Sequence, residues 1–170
     1  MTVWYNIGMS KPLKILKVNN KEELKTLRAL SREVTQEEIK SEEFQQFLDN
    51  LLYTVENTDM QEGFMAAGLA APQVGRNIRV FAKLIGKNKF GIYINPKIDI
   101  LKTTQDIQPE ACLSIPDTEG LVLRFNNIKV TYLDRKGRKR REKYYDWDAR
   151  EVLHENDHLD GILFTDKLVD

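Results

Sequence analysis

The residues best suited to chemistry lie near the end of the chain, in VLHENDHLDG, residues 152–161. His154 and His158 are the only histidines, and Glu155 follows the first of them. On a helix, side chains four apart face the same way, with Cβ atoms about 5–6 Å apart. Both imidazoles can then reach one cation at about 2.0–2.1 Å. Glu155 projects to a neighbouring side, where it can sit beside a metal-bound water and shuttle protons without being a ligand. The plainer alternative is a charged helix that carries two histidines by chance. Taken alone, the H-E-x-x-H pattern suggests a metalloprotease.

A catalytic divalent ion needs three protein ligands and one open position. Downstream, Asp160 and Asp166 are possible third ligands. The stronger candidate is upstream, Cys112 in QPEACLSIPD. A thiolate is a soft ligand, and a lone cysteine in a reducing compartment needs no partner. A free cysteine is also commonly a small buried hydrophobe, and a cysteine with a histidine also makes an acyl-transfer site. Sequence spacing does not separate ligand from nucleophile.

The rest of the chain must position these groups. A length of 170 residues is expected to form one domain, with residues 1–12 as an irregular arm. Basic and acidic residues balance at 26 each, so no global field advertises nucleic acid or an anionic membrane. No apolar run is long enough to span a membrane, and the N-terminus lacks the pattern of a signal peptide. One cysteine excludes an intrachain disulfide. These features fit a cytoplasmic enzyme or binding domain.

Leucines at 24, 27 and 30 predict a helix over residues 20–34. A second helical pattern runs over residues 37–55, with Ser41 as an internal cap or an exposed residue. GFMAAGLAAPQVG, residues 63–75, reads as a tight loop passing close to something, with Gly68 permitting the approach. RVFAKLI and KFGIYINPKIDIL read as strands joined by a GKN turn; EGLVLRF and IKVTYLD read as two more. RKGRKRR, residues 135–141, reads as a basic turn. The last helix, from YDWD onward, stops at Gly161. Helices first, then strands, then one helix suggest an α+β fold.

Three blocks resemble the signature motifs of peptide deformylases: GLAAPQVG (68–75), EACLS (110–114) and HENDH (154–158). INP at 94–96 and RFNNIKVTYLDRKG at 124–137 are similar to strands that family carries between its motifs. The resemblance runs from about Leu13 to the end. It implies antiparallel sheets packed around a C-terminal metal-binding helix that carries the HExxH motif. It implies that Cys112, His154 and His158 hold one divalent metal, Fe2+ in the cell, replaceable by Zn2+, Ni2+ or Co2+, with water as fourth ligand. Glu155 would take a proton from that water and give it to the departing amine. Gln73, by its side-chain amide, and Leu113, by its backbone N–H, would donate to the developing oxyanion. The reaction implied is removal of the formyl group from formylmethionyl nascent peptides, releasing formate. A peptide bound as an added strand would pass close to Gly68. Glu110 and Arg124 would form a salt bridge bracing the cysteine loop, with Asp157 adding a hydrogen bond.

Several positions depart from the family pattern. Ala66 and Ala111 stand where glycines are usual, and Leu153 where glutamine is. If position 111 needs φ > 0, alanine strains the loop by roughly 1 kcal/mol. Glu119 stands where a basic residue is usual near the substrate. Glu151 stands at an apolar position near the pocket for the methionine side chain. Together they imply a more acidic substrate groove, unless both point into solvent. The basic run reads first as a solvated hairpin tip and second as a contact to ribosomal RNA. The chain stops 12 residues after His158, so ribosome docking by a long C-terminal helix is not expected. The expected protein is a cytoplasmic monomer with no DNA or membrane partner. The alternatives are an HExxH endopeptidase, a specialised or non-catalytic deformylase relative, and a thiol hydrolase using Cys112.

Overall fold

A computed structural model of the chain describes residues 10–60, 64–87 and 89–169. Of the expected arm, residues 1–9 lie outside the described residues, as does Asn88 of the GKN turn.

Three helices come first. α1 (Lys21–Arg28) begins where the Asn20 side chain accepts hydrogen bonds from the N–H groups of Glu22 and Glu23. It stops well short of residue 34. Tertiary pairing takes over there: the Ser31 N–H bonds the Leu159 carbonyl, and Arg32 forms a parallel bridge with Ile78. α2 (Gln36–Lys40) starts with a capping box between Thr35 and Glu38. α3 (Glu42–Glu56) starts at Ser41, whose hydroxyl accepts from the Phe44 N–H. Ser41 is thus the internal cap, and the second helical pattern is two helices broken there.

The strands follow in chain order: β1 (Asp59–Met60), β2 (Phe64–Met65), β3 (Gly68–Ala70), β4 (Val80–Gly86), β5 (Lys89–Ile100), β6 (Gln105–Cys112), β7 (Ile115–Phe125), β8 (Asn127–Leu133) and β9 (Lys139–Tyr145). α4 (Asp146–Leu159) comes last, with Gly161 at φ 70° just beyond it. A side chain at 161 would run into the Arg28 carbonyl, so the helix ends where only glycine fits. β3, β4, β5, β8 and β9 form one five-stranded antiparallel sheet in that order, and β6 with β7 forms a separate antiparallel ribbon. The result is a mixed α/β fold with antiparallel sheets.

The centre of the five-stranded sheet, in β4 and β5, is buried on both faces. Val80, Ala82, Ile92 and Ile94 pack with Leu48, Leu51 and Val55 of α3. Phe81, Tyr93, Ile128 and Val130 pack with Ala149, Val152 and Leu159 of α4. Successive residues of β4 therefore enter opposite cores, which is why that segment is apolar without alternation.

β1, β2 and β3, two or three residues each, are too short to show a pattern, and the longer β6 and β9 are not visible in the sequence either. The basic run is only half turn: the Asp134 N–H bonds the Arg138 carbonyl around Gly137, and β9 begins at Lys139. β9 is an exposed edge strand that alternates no apolar residues. β6 is likewise mostly exposed, so it too lacks the period-two signal.

Candidate metal centre

α4 turns Ala149, Val152 and Leu159 into the sheet. His154, Glu155 and His158 then face β3 and the β6–β7 ribbon. Cys112 arrives from that ribbon at a register shift: Ala111 pairs with Glu119, but Cys112 pairs with Ile115. Such an irregularity re-aims a side chain, and the sulfur lies buried against the helix.

The ligand atoms of Cys112, His154 and His158 all lie within 4.8 Å of one another. Cys112 Sγ is 3.3 Å from His158 Nε2. Four tetrahedral ligands at metal–ligand distances of about 2.0–2.3 Å are separated by roughly 3.3–3.8 Å. Burial alone would raise the Cys112 thiol pKa, but the imidazoles of His158 and His154 overcome it and hold the thiol well below its usual range. The thiolate is the ligating form. His154 Nδ1 lies 2.8 Å from Glu110 Oε2, which directs the other ring nitrogen inward. The donor set therefore fits one divalent ion.

Glu155 is buried beside these donors, and its Oε2 has no partner among the described residues. Burial pushes its carboxyl up to about 7, against the opposing pull of His154 and His158. Gly68 is what makes room for it: a Cβ at position 68 would lie 2.6 Å from Glu155 Oε1. Gly68 sits in a strand rather than a turn, and the close approach it permits includes this carboxylate.

The Gln73 amide is held and aimed. Its Oε1 accepts from the Ala70 N–H at 2.9 Å, and its Nε2 donates to Ser114 Oγ at 3.1 Å and lies 3.5 Å from Cys112 Sγ. Leu113 lines the same cleft, and its carbonyl accepts from the Lys17 ammonium.

Behind the donors runs a buried ion network. Arg124 grips Glu110 with Nε to Oε1 at 2.7 Å and Nη2 to Oε2 at 2.8 Å. It reaches Asp157 Oδ2 with Nη1 at 2.5 Å. Arg150 Nη1 adds a second bond to Glu110 Oε1 at 2.7 Å. The expected Glu110–Arg124 pair and the Asp157 brace are both present. Burial would raise the Glu110 carboxyl pKa, but Arg124 and His154 hold it far below the usual range. Ala111 is not among the residues with positive φ, so the strain considered for it does not arise.

A cleft of about 970 Å³ opens over these groups, large enough for a peptide segment. Glu119 and Glu151 both line it, rather than turning away from it. Glu119 is exposed. Glu151 is not solvated: its Oε2 lies 2.9 Å from Lys83 Nζ, which also bonds Asp148 Oδ1 at 2.7 Å.

Sequence reasoning missed Arg150, Ser114 and Lys83. Ser114 lies inside the second motif and Arg150 one turn before His154, so proximity was the available signal. Lys83 sits in an apolar strand, RVFAKLI, where a central lysine calls for a buried partner.

A thiol and two imidazoles within reach of one ion, with a near-neutral carboxyl beside them, are the working parts of a metal-dependent hydrolase. Comparison with known proteins narrows the class. The sequence model of the family described as polypeptide deformylase matches residues 12–170. A peptide deformylase of Fusobacterium nucleatum is 38% identical over 143 residues, 84% of this chain and 78% of that protein. The crystal structure of peptide deformylase from Thermotoga maritima superposes with a TM-score of 0.82 at 29% identity, covering 94% of this chain and 99% of that one. A Met-Ala-Ser-bound class I type b peptide deformylase from Acinetobacter baumannii gives 0.81 at 30% identity, covering 94% and 100%. The chain belongs to the peptide deformylase family and is a hydrolytic enzyme. The endopeptidase alternative is not favoured.

Proposed function

We propose that this chain removes the formyl group from the N-terminal methionine of nascent polypeptides, releasing formate and a free amine. The observation that carries this reading is the meeting of the Cys112, His154 and His158 donors, within 4.8 Å of one another, beside the buried Glu155. The comparisons support it: the relatives share the family, and one is described as holding the tripeptide Met-Ala-Ser.

Cys112, His154 and His158 would hold one divalent ion, Fe2+ in the cell, with Zn2+, Ni2+ or Co2+ able to replace it. When bound, that ion supplies a Lewis acid and lowers the pKa of a water toward about 7. Glu155 accepts the proton that the attacking water gives up and returns it to the leaving amine. Gln73 Nε2 and the Leu113 backbone N–H donate to the oxygen of the formyl carbonyl as charge develops there. Removing one such donor costs about 10²–10³ in rate. The peptide lies along the cleft past Gly68, with Glu119 and Glu151 on its walls. Nascent chains place the reaction in the cytoplasm, and the chain acts as a monomer.

The test is formate release from formyl-Met-Ala-Ser under anaerobic conditions with added ferrous iron. Activity is expected, abolished by Glu155→Ala. Cys112→Ser is expected to lose the ion or the activity. Cleavage of an internal peptide bond without formate would overturn the reading, and so would full activity in chelator that alkylation of Cys112 abolishes.

A further inference from the structure

We infer that the free face of β9 is a docking track for a single-stranded segment of RNA. The inference begins with strand register. Lys139 pairs with Leu133, Arg141 with Thr131, Lys143 with Lys129 and Tyr145 with Asn127. Paired residues share a face of a sheet. Leu133 packs on the α3 side, so Lys139, Arg141, Lys143 and Tyr145 all project there. All four are exposed. The three cations stand two residues apart, roughly 6.6–6.8 Å along the strand.

The opposite face of the same strand is fully engaged. Arg140 and Arg138 both bind Asp134, and Glu142 accepts from the Tyr132 hydroxyl at 2.8 Å. Lys139, Arg141 and Lys143 have no ion pair among the described residues. Acids on the same side of the sheet have basic partners of their own: Asp99 binds Lys129 at 2.8 Å, and Asp49 of α3 binds Arg135 at 2.8 Å. The register thus sorts the charges of β9 itself: Arg140 and Glu142 are engaged on one face, and Lys139, Arg141 and Lys143 form a positive row on the other.

The chemistry of the row selects its partner. Cations at regular spacing track a phosphodiester backbone, and an exposed ring at the end of the row offers a stacking platform for a base. Tyr145, half exposed at 51%, is that ring. A membrane surface is instead recognised by an amphipathic element with an apolar face to insert, which this strand lacks. Charges on an edge strand also prevent pairing between copies. That role is served by either sign and needs no aromatic. β9 runs directly into α4, whose Trp147 lines the cleft two residues beyond Tyr145. RNA bound on the row would lie next to the element that carries the candidate site. The choice of RNA over DNA rests on the nascent-chain reading above.

The test is fluorescence anisotropy of a labelled 12-nucleotide RNA of mixed sequence, titrated with the protein between 50 and 200 mM salt. Three neutralised phosphates predict a slope of log K against log salt of about −2, at about 0.7 per phosphate for a single strand. Replacing Lys139, Arg141 and Lys143 together by Gln is expected to weaken binding at 50 mM salt about ten-fold or more and to flatten the slope toward zero. Arg141→Gln alone, a milder change, is expected to reduce the slope by about 0.7. Tyr145→Ala is expected to weaken binding about five-fold with the slope unchanged, because stacking releases no counterions. No binding at 50 mM salt would overturn the inference. So would equal affinity in the triple variant, tighter row-dependent binding to phosphatidylserine vesicles, or ten-fold tighter binding to DNA of the same sequence. Formate release from formyl-Met-Ala-Ser, measured on the same samples, is expected to be unchanged in the triple variant. An active wild type that ignores RNA sinks this inference alone. An inactive wild type that binds RNA sinks the reading of the metal centre alone.

Discussion

Gly68 and Glu155 are fitted to each other. The carboxylate occupies the space that a side chain at position 68 would fill, with Oε1, Cδ and Cγ all within 2.8 Å of an added Cβ. A strand residue without a side chain thus sets where the Glu155 carboxyl, the proposed proton-transfer group, stands. Gly68→Ala is expected to push Glu155 out of place and lower kcat by about 10²-fold, the usual cost of a displacement near 1 Å. Steady-state formate release checks it, with unchanged ion content as the control.

Glu155 also couples stability to pH. Burial raises its carboxyl from 4.5 to about 7 in the folded, ion-free chain. Between those values the folded state holds more protons than the unfolded one, so stability falls as pH rises and levels off above about 7. Glu155→Gln removes that penalty. The variant is expected to be more stable than wild type by about 1–3 kcal/mol at pH 8, with the gap closing toward pH 5. Urea titrations of both ion-free proteins across this range decide it.

Glu110 is shared by Arg124, Arg150 and His154. Neutralising it leaves two buried guanidinium groups short of an anion. Glu110→Gln is expected to cost about 3–5 kcal/mol of stability and to weaken ion affinity about 10–100-fold through loss of the His154 brace. Chemical denaturation and a competitive chelator titration measure the two effects separately.

The cleft walls carry Glu119 and Glu151, but only the first is free to meet a substrate cation, since Lys83 holds the second. Formyl-Met-Lys-Lys is expected to be turned over with a kcat/KM about two- to five-fold above that of formyl-Met-Ala-Ser. Glu119→Lys should reverse the order, and 0.5 M salt should shrink it. Equal kcat/KM for the two peptides would remove the idea of an acidic groove.

Much of the site was legible in the chain. His154 and His158 needed only the helical period to face the same way, and the neighbouring position of Glu155 followed from the same geometry. Ser41 left two readings open, internal cap or exposed residue, and the structure decides for the cap between α2 and α3. The helical stretch over 20–34 was overextended because residues 31–32 bond to Leu159 and Asn77, neighbours distant in sequence. The edge strands β6 and β9 were invisible because strands exposed to water carry no apolar alternation.

The sequence by itself determined which groups are present, their local spacing on α4, and the side-chain caps that start the first three helices, because these depend on residues within a few positions of one another. Tertiary structure alone decided that Cys112 meets the histidines, that Lys83 holds Glu151, that Gly68 seats Glu155 and that β9 sorts its charges to two faces. Each of those pairings joins segments far apart in the chain. Only strand register and the packing of α4 bring them within bonding distance.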